Sequence, residues 1–166
     1  MNDRASSSGV DTADLAATVE TRVRAEHGAL LNAVGDCADA VATTWPEGES
    51  SGGAEDDDEP ARATTDRDRV VPPFEALLAE HGLLDACTAV LVDAVAAAGE
   101  ELSASPVAAP PYVVVTSVGP VLRATLPLGR LVLTLRVFDV VRDGSERPRY
   151  VRLDGGEPAA LDVAVR

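Results

Sequence analysis

Residues 130–142 read RLVLTLRVFDVVR, and the alternation in that stretch decides the fold class. Successive side chains on a strand point to opposite faces. Leu131, Leu133, Leu135 and Val137 therefore project one way, and Val132, Thr134, Arg136 and Phe138 the other. The first set is wholly aliphatic, so it is the side expected to meet a second layer. The same texture continues on both sides, in YVVVTS (112–117), VLRATL (121–126), RYVRL (149–153) and LDVAVR (161–166). VGP, PLG, DGSERP and DGGEPA separate these runs as turns. Short connections favour antiparallel neighbours, so residues 112–166 are expected to form a meander of about five strands.

Upstream the period changes. Leu15, Val19, Val23, His27, Leu30, Val34, Cys37 and Val41 recur three or four apart, the spacing of one helix face, within a helical region at 11–45. Asp11 or Thr12 can cap its start, and Trp45-Pro46 ends it. Residues 64–99 form a second helical region with Phe74, Leu77, Leu78, Leu84, Leu91 and Val95 inward. Pro73 suits its first turn and Gly99 its end. AEHG occurs at 25–28 and again at 79–82, and holds both histidines of the chain. It reads as helix punctuation. Gly82 is expected in the left-handed conformation, with Leu83 against Leu78 and Asp85 capping the next helix. In the first copy Arg24 and Ala29 take the places of that apolar pair, and the helix is expected to run on through Gly28. Residues 1–10 read as a tail, 46–63 as a disordered acidic loop and 100–111 as an extended connector. EDDDE (55–59) lacks the alternating ligands of a calcium loop and reads as solvated charge. The expected fold class is α+β, with N-terminal helices packed on one face of a C-terminal antiparallel β-meander.

The chain carries 14 arginines, no lysine and 28 acidic residues, for a net charge of −14. Such a surface repels itself in dilute buffer, and at 1 M salt the screening length falls to about 3 Å. This predicts a cytoplasmic protein of a salt-accumulating organism; an acidic protein of a GC-rich mesophile is the alternative. Cys37 and Cys87 lie in apolar, helix-like surroundings, as buried thiols of a reducing compartment do. No export signal and no apolar run of about 18 residues is read, so no membrane contact is expected.

His27, Cys37, His81 and Cys87 are the soft ligands available. On a continuous helix His27 and Cys37 stand roughly 15 Å apart, too far for a zinc pair. No metal and no cofactor is expected. TSVGP and SSSG are not nucleophile elbows, and no glycine-rich phosphate loop exists. An enzyme reading needs a buried concave pocket joining His27 or His81 to a carboxylate. One asymmetry stands out. Residues 1–110 hold six arginines against 22 acids, or −16, and residues 111–166 hold eight against six, or +2. Arg123, Arg136 and Arg152, with Phe138 and Tyr150, are the candidate binding residues, on the sheet face turned away from the helices. The leading expectation is a non-enzymatic binding or scaffold protein that meets a protein partner or a second copy of itself. Single-stranded nucleic acid, held by arginine and stacked on aromatic rings, is the alternative, and a small-molecule enzyme is a third. The arginines could also serve only to pair with acids of the same chain or to guard a strand edge.

The segments VVPPFEALLAEHGLLDA (70–86), AAPPYVVVTSVGPVLRATLPLGRLVLTLRVF (108–138) and PRYVR (148–152) resemble a group of small proteins of halophilic archaea with no established function. The likeness is of texture and segment order and covers most of the chain outside the tail and the acidic loop. It implies a salt-adapted cytoplasmic protein, and it implies no activity and no functional residue.

Overall fold

A computed structural model of the chain describes residues 11–46, 62–142, 144, 147–153 and 157–166. The expected tail and nearly all of the expected acidic loop lie outside the described residues. Among the described residues four α-helices, α1 (Thr12–Glu26), α2 (Gly28–Ala42), α3 (Val71–Glu80) and α4 (Leu83–Ala97), precede most of the strands. The strands are β1 (Ala63–Thr64), β2 (Val113–Val115), β3 (Pro120–Leu126), β4 (Gly129–Arg136), β5 (Phe138–Val141), β6 (Arg149–Arg152) and β7 (Ala160–Val165). The class is α+β, with antiparallel pairing throughout.

Both AEHG copies interrupt a helix. Gly82 has φ +68 and separates α3 from α4, as its freedom to turn left-handed predicts. Asp85 makes no capping bond and lies in the first turn of α4, where its charge suits the helix dipole. The first copy departs from expectation. The helix does not run on through Gly28, because His27 leaves helical geometry at φ −122 and α1 gives way to α2. The His27 ring is held there from outside its own helices, 2.7 Å from the Asp93 carboxylate on α4. Asp11, rather than Thr12, caps α1 by accepting the Ala13 N–H at 3.0 Å.

The strands form two sheets, in the orders β2-β3-β4-β7 and β1-β6-β5. The sequential meander holds from β2 to β4, and β7 then returns to pair beside β4. The run 130–142, expected as one strand, serves both sheets because it breaks at Val137. The Val118 carbonyl accepts from both the Val137 and the Phe138 N–H, at 2.9 and 3.1 Å, which sets two residues against one, as in a bulge. Alternation shifts phase there, so the neighbours Val137 and Phe138 are both fully buried. Gly119 makes this approach possible. Its φ is +143, and a Cβ there would stand 1.9 Å from the Leu135 carbonyl oxygen.

Upstream of the break the aliphatic side faces inward as read. Leu131, Leu133 and Leu135 are buried in one core with Leu122, Ala124 and Leu126 of β3 and Leu161 of β7, on the sheet that meets α1 through β7 and α4 through β3. Ala63 and Thr64 were expected at the end of a disordered loop and the start of a helical region. They instead pair with Val151 and Tyr150 of β6, because that second sheet otherwise ends in an open edge. Beneath it Phe138 packs against Trp45 and Phe74, with ring centroids 5.3 and 5.1 Å apart. The Trp45 indole N–H donates to the Arg69 carbonyl at 3.0 Å, which satisfies its buried polar end.

Candidate functional site

The five candidate residues divide between the two sheets. Phe138, Tyr150 and Arg152 share one face of the second sheet, as alternation dictates, but that face turns inward, toward α2. Phe138 is fully buried, Tyr150 nearly so, and the Arg152 side chain is 6% exposed. The reading that set these three on the solvent side is corrected by the phase shift at Val137. The two rings offered for base stacking are core residues.

Arg152 makes five side-chain hydrogen bonds among the described residues. Its Nε donates to Asp39 Oδ1 at 2.8 Å, and its Nη1 to the Val137 carbonyl at 3.1 Å and to the Leu153 carbonyl. Its Nη2 donates to the Gly35 carbonyl at 3.2 Å and to the Glu157 carbonyl at 2.9 Å. All five guanidinium N–H groups are thereby engaged. Gly35 leaves the room, since a Cβ there would meet Glu157 O at 2.5 Å. Arg152 thus ties α2, the break at Val137 and the loop before β7 together.

Arg123 and Arg136 lie on the outer face of the four-stranded sheet. Arg136 is at one end, 3.6 Å from Asp139 and 3.7 Å from Asp162, with all three side chains open to water that screens the pairs. Arg123 is toward the other end and faces a different environment. It stands opposite Val132, and Thr125 stands opposite Arg130, so Arg123 and Arg130 are diagonal neighbours across the hairpin. Arg130 and Arg166 exchange main-chain bonds of 2.7 and 2.9 Å, which makes them directly opposed on β4 and the end of β7. Arg123, Arg130 and Arg166 are exposed, and none forms an ion pair or side-chain hydrogen bond among the described residues. Like charges set across a ladder are unfavourable, yet three arginines gather here with no acidic side chain paired to them among the described residues. The Arg123 N–H donates to the Tyr112 carbonyl at 2.8 Å and brings the connector alongside. Tyr112, Arg123, Thr125 and Arg130 then line a cavity of about 300 Å³ with Ser103 and the apolar Leu102, Ala104 and Pro111. Arg130 and Arg166 are absent from the candidate set read from sequence. The PLG turn carries the missing signal, since a short hairpin there fixes Arg130 opposite Thr125.

A family model described as a domain of unknown function, DUF7988, matches residues 17–166. The chain belongs to the DUF7988 family. No curated protein and no solved structure matches it. The matched range of this DUF7988 chain includes the Arg152 tie, the basic end of the sheet and both AEHG breaks.

The histidines and cysteines of the DUF7988 fold lie apart from that basic end. His27 bonds Asp93 across helices, as a positioning contact at the α1–α2 break. His81 lines a second cavity, of about 360 Å³, with Asp36, Cys37, Leu77 and Leu83, so a histidine and a carboxylate do share a pocket, but His81 is exposed and the pocket is not the buried one an enzyme reading needs. Burial pushes the Cys37 thiol up, and the neighbouring Asp36 carboxylate adds to the rise, so at neutral pH it is a protonated and weak nucleophile. Among the described residues no three of His, Cys, Asp and Glu cluster closely enough to share a metal ion. No helix among the described residues is long and apolar enough to cross a membrane.

Cys87 has a consequence for alkaline stability. Burial pushes its thiol from 9.0 up to about 12. Above pH 9 the unfolded chain releases this proton while the folded chain keeps it, so the unfolded state gains and stability falls as pH rises. The expected slope is about 1.4 kcal/mol per pH unit from roughly pH 9 to 12. Urea unfolding of wild type and Cys87→Ala at several pH values checks this. The variant should lose this slope and keep the smaller contribution of Cys37; equal slopes in both proteins would refute the assignment.

Proposed function

We propose that this DUF7988 protein is a non-enzymatic binding protein whose contact surface is the outer face of the four-stranded sheet. Its anchor for an anionic partner is the group Arg123, Arg130 and Arg166. The observation that carries the reading is the gathering of these three arginines, by register, at one end of a sheet face with no acidic side chain paired to any of them among the described residues, in a chain with 28 acids for 14 arginines. Acidic side chains reach Arg136, Arg152, Arg22, Arg24 and Arg69. Arg67, Arg142 and Arg149 also lack an acidic partner among the described residues; at this sheet end register brings three such arginines together on a surface rich in acid, which attracts an anionic group. Burial of both thiols, Cys37 and Cys87, which raises their pKa, supports binding over catalysis.

The setting that goes with this reading is the cytoplasm of a halophile, supported by the acid excess and by arginine as the sole basic chain. A protein tuned to that solvent melts at a higher temperature in molar KCl than in dilute buffer. Equal melting temperatures would remove that part of the proposal. The binding part is tested by affinity capture at host salt, with wild type beside an Arg123→Glu/Arg130→Glu variant. A partner held by the wild type and lost by the variant supports it. A wild type that is monomeric at molar KCl and retains nothing overturns it.

A further inference from the structure

Starting from that reading of the basic end, we infer that the cavity beneath Arg123 and Arg130 is a site for a phosphate group, presented as a phosphomonoester. Its lining contains two guanidiniums and three hydroxyl groups, those of Ser103, Tyr112 and Thr125, and no carboxylate. None of these five side chains has a hydrogen-bond partner among the described residues. The other cavities carry the opposite sign: Asp36 lines the one beside α2, and Glu100 and Glu101 line the one between α4 and the connector. Among these cavities an anion is therefore directed to this one.

Charge and geometry select phosphate among anions. A phosphomonoester carries about −1.5 to −2 at neutral pH, which matches two guanidiniums, whereas a carboxylate leaves one of them uncompensated. Arg123 and Arg130 are diagonal across the β3–β4 ladder, a separation of about 7–8 Å, from which both planar forks can converge on one tetrahedral group. Bidentate arginine contacts are the strong, directional form of phosphate recognition. The hydroxyls of Ser103, Tyr112 and Thr125 are placed to donate to the remaining oxygens. Leu102, Ala104 and Pro111 form an apolar wall for the carbon next to the ester oxygen. A volume of about 300 Å³ is at the small end for ligand pockets. It suits one phosphorylated group, carried either by a small metabolite or by a single side chain of a partner.

The test is titration calorimetry on the full chain, at the lowest KCl that keeps it folded, with inorganic phosphate, ribose 5-phosphate, a phosphoserine peptide and acetate as probes. Phosphate-bearing probes are expected to bind, and acetate to bind about tenfold more weakly or worse. Arg123→Gln and Arg130→Gln should each weaken phosphate binding about tenfold or more, as loss of a charged hydrogen bond requires. Arg136→Gln, at the other end of the same face, should leave it unchanged. Whichever of ribose 5-phosphate and the phosphopeptide binds more tightly names the source of the phosphate, and either ranking supports the site. No phosphate binding tighter than about 10 mM overturns it. So does equal affinity for acetate, or a double arginine variant that melts like wild type and binds phosphate as well. Failure here with Arg-dependent partner capture intact sinks only the phosphate assignment. Phosphate binding with no partner captured sinks only the reading of the sheet face as a protein contact.

Discussion

Arg152→Met is expected to destabilise the protein by about 3–5 kcal/mol, because it removes one member of a buried ion pair and strands the groups it satisfied. The carbonyls of Gly35, Val137, Leu153 and Glu157 and the carboxylate of Asp39 all lose a donor at once. Water can reach Asp39, whose side chain is 31% exposed, so part of the carboxylate's loss is recovered. The Val137 carbonyl keeps the Leu153 N–H at 2.9 Å, whereas the ties from Arg152 to the Gly35 carbonyl on α2 and to the loop before β7 are lost outright. For a chain of this length the melting temperature should drop by roughly 6–20 °C. Arg152→Lys should rescue little of it, since one compact ammonium cannot serve α2, the Val137 break and the loop before β7 together. Asp39→Leu placed on Arg152→Met should cost less than the two single changes added, because the pair couples. Urea unfolding in molar KCl gives all four values. A loss below about 1 kcal/mol for Arg152→Met would mean that the three segments are held by packing alone.

That expectation separates arginines which the sequence presents alike. Arg123, Arg136 and Arg152 each sit in an alternating run, and alternation within a run says which residues share a face. It does not say which face is covered. For Leu131, Leu133 and Leu135 the answer was legible, because a uniform aliphatic side has one stable destination. For Phe138, Tyr150 and Arg152 the face is amphipathic, and its burial depends on α2 presenting the Gly35 carbonyl and Asp39 more than 100 residues away in sequence. The helix break at Gly82 and the cap at Asp11 were legible because both are set by residues within one turn. The break at His27 was not, since the side chain held there meets Asp93 on a different helix. The same holds for β1, whose two residues acquire strand geometry only from β6. At the candidate site, Arg123 was legible from its strand. Arg130 and Arg166 come with it only through register, which is a property of paired strands rather than of any one of them.

Phe138→Ala tests the phase shift directly. If the strand ran unbroken through Val137, Phe138 would face solvent beside Arg136, and its truncation would change stability by no more than about 0.5 kcal/mol. With the bulge at Val137 and Phe138, opposite Val118, the ring instead fills the space between Trp45 and Phe74, at centroid distances of 5.3 and 5.1 Å. Truncation then leaves a cavity among residues that cannot collapse into it, because Phe74 is anchored on α3 and Trp45 is fixed by its bond to the Arg69 carbonyl. The expected loss is about 3–5 kcal/mol, of which roughly 0.5–1.5 belongs to each aromatic pair. Set against a typical domain stability of about 5–15 kcal/mol, this brings the protein close to unfolding at ambient temperature. Phe138→Leu retains most of the volume and should cost about half as much. Trp45 is the sole tryptophan. Its emission therefore reports the site: it should shift to longer wavelength in Phe138→Ala as water reaches the indole, and stay in place in Arg123→Ala. A Phe138→Ala protein as stable as the wild type, with unshifted emission, would put the ring back on the surface and the two sheets back into one.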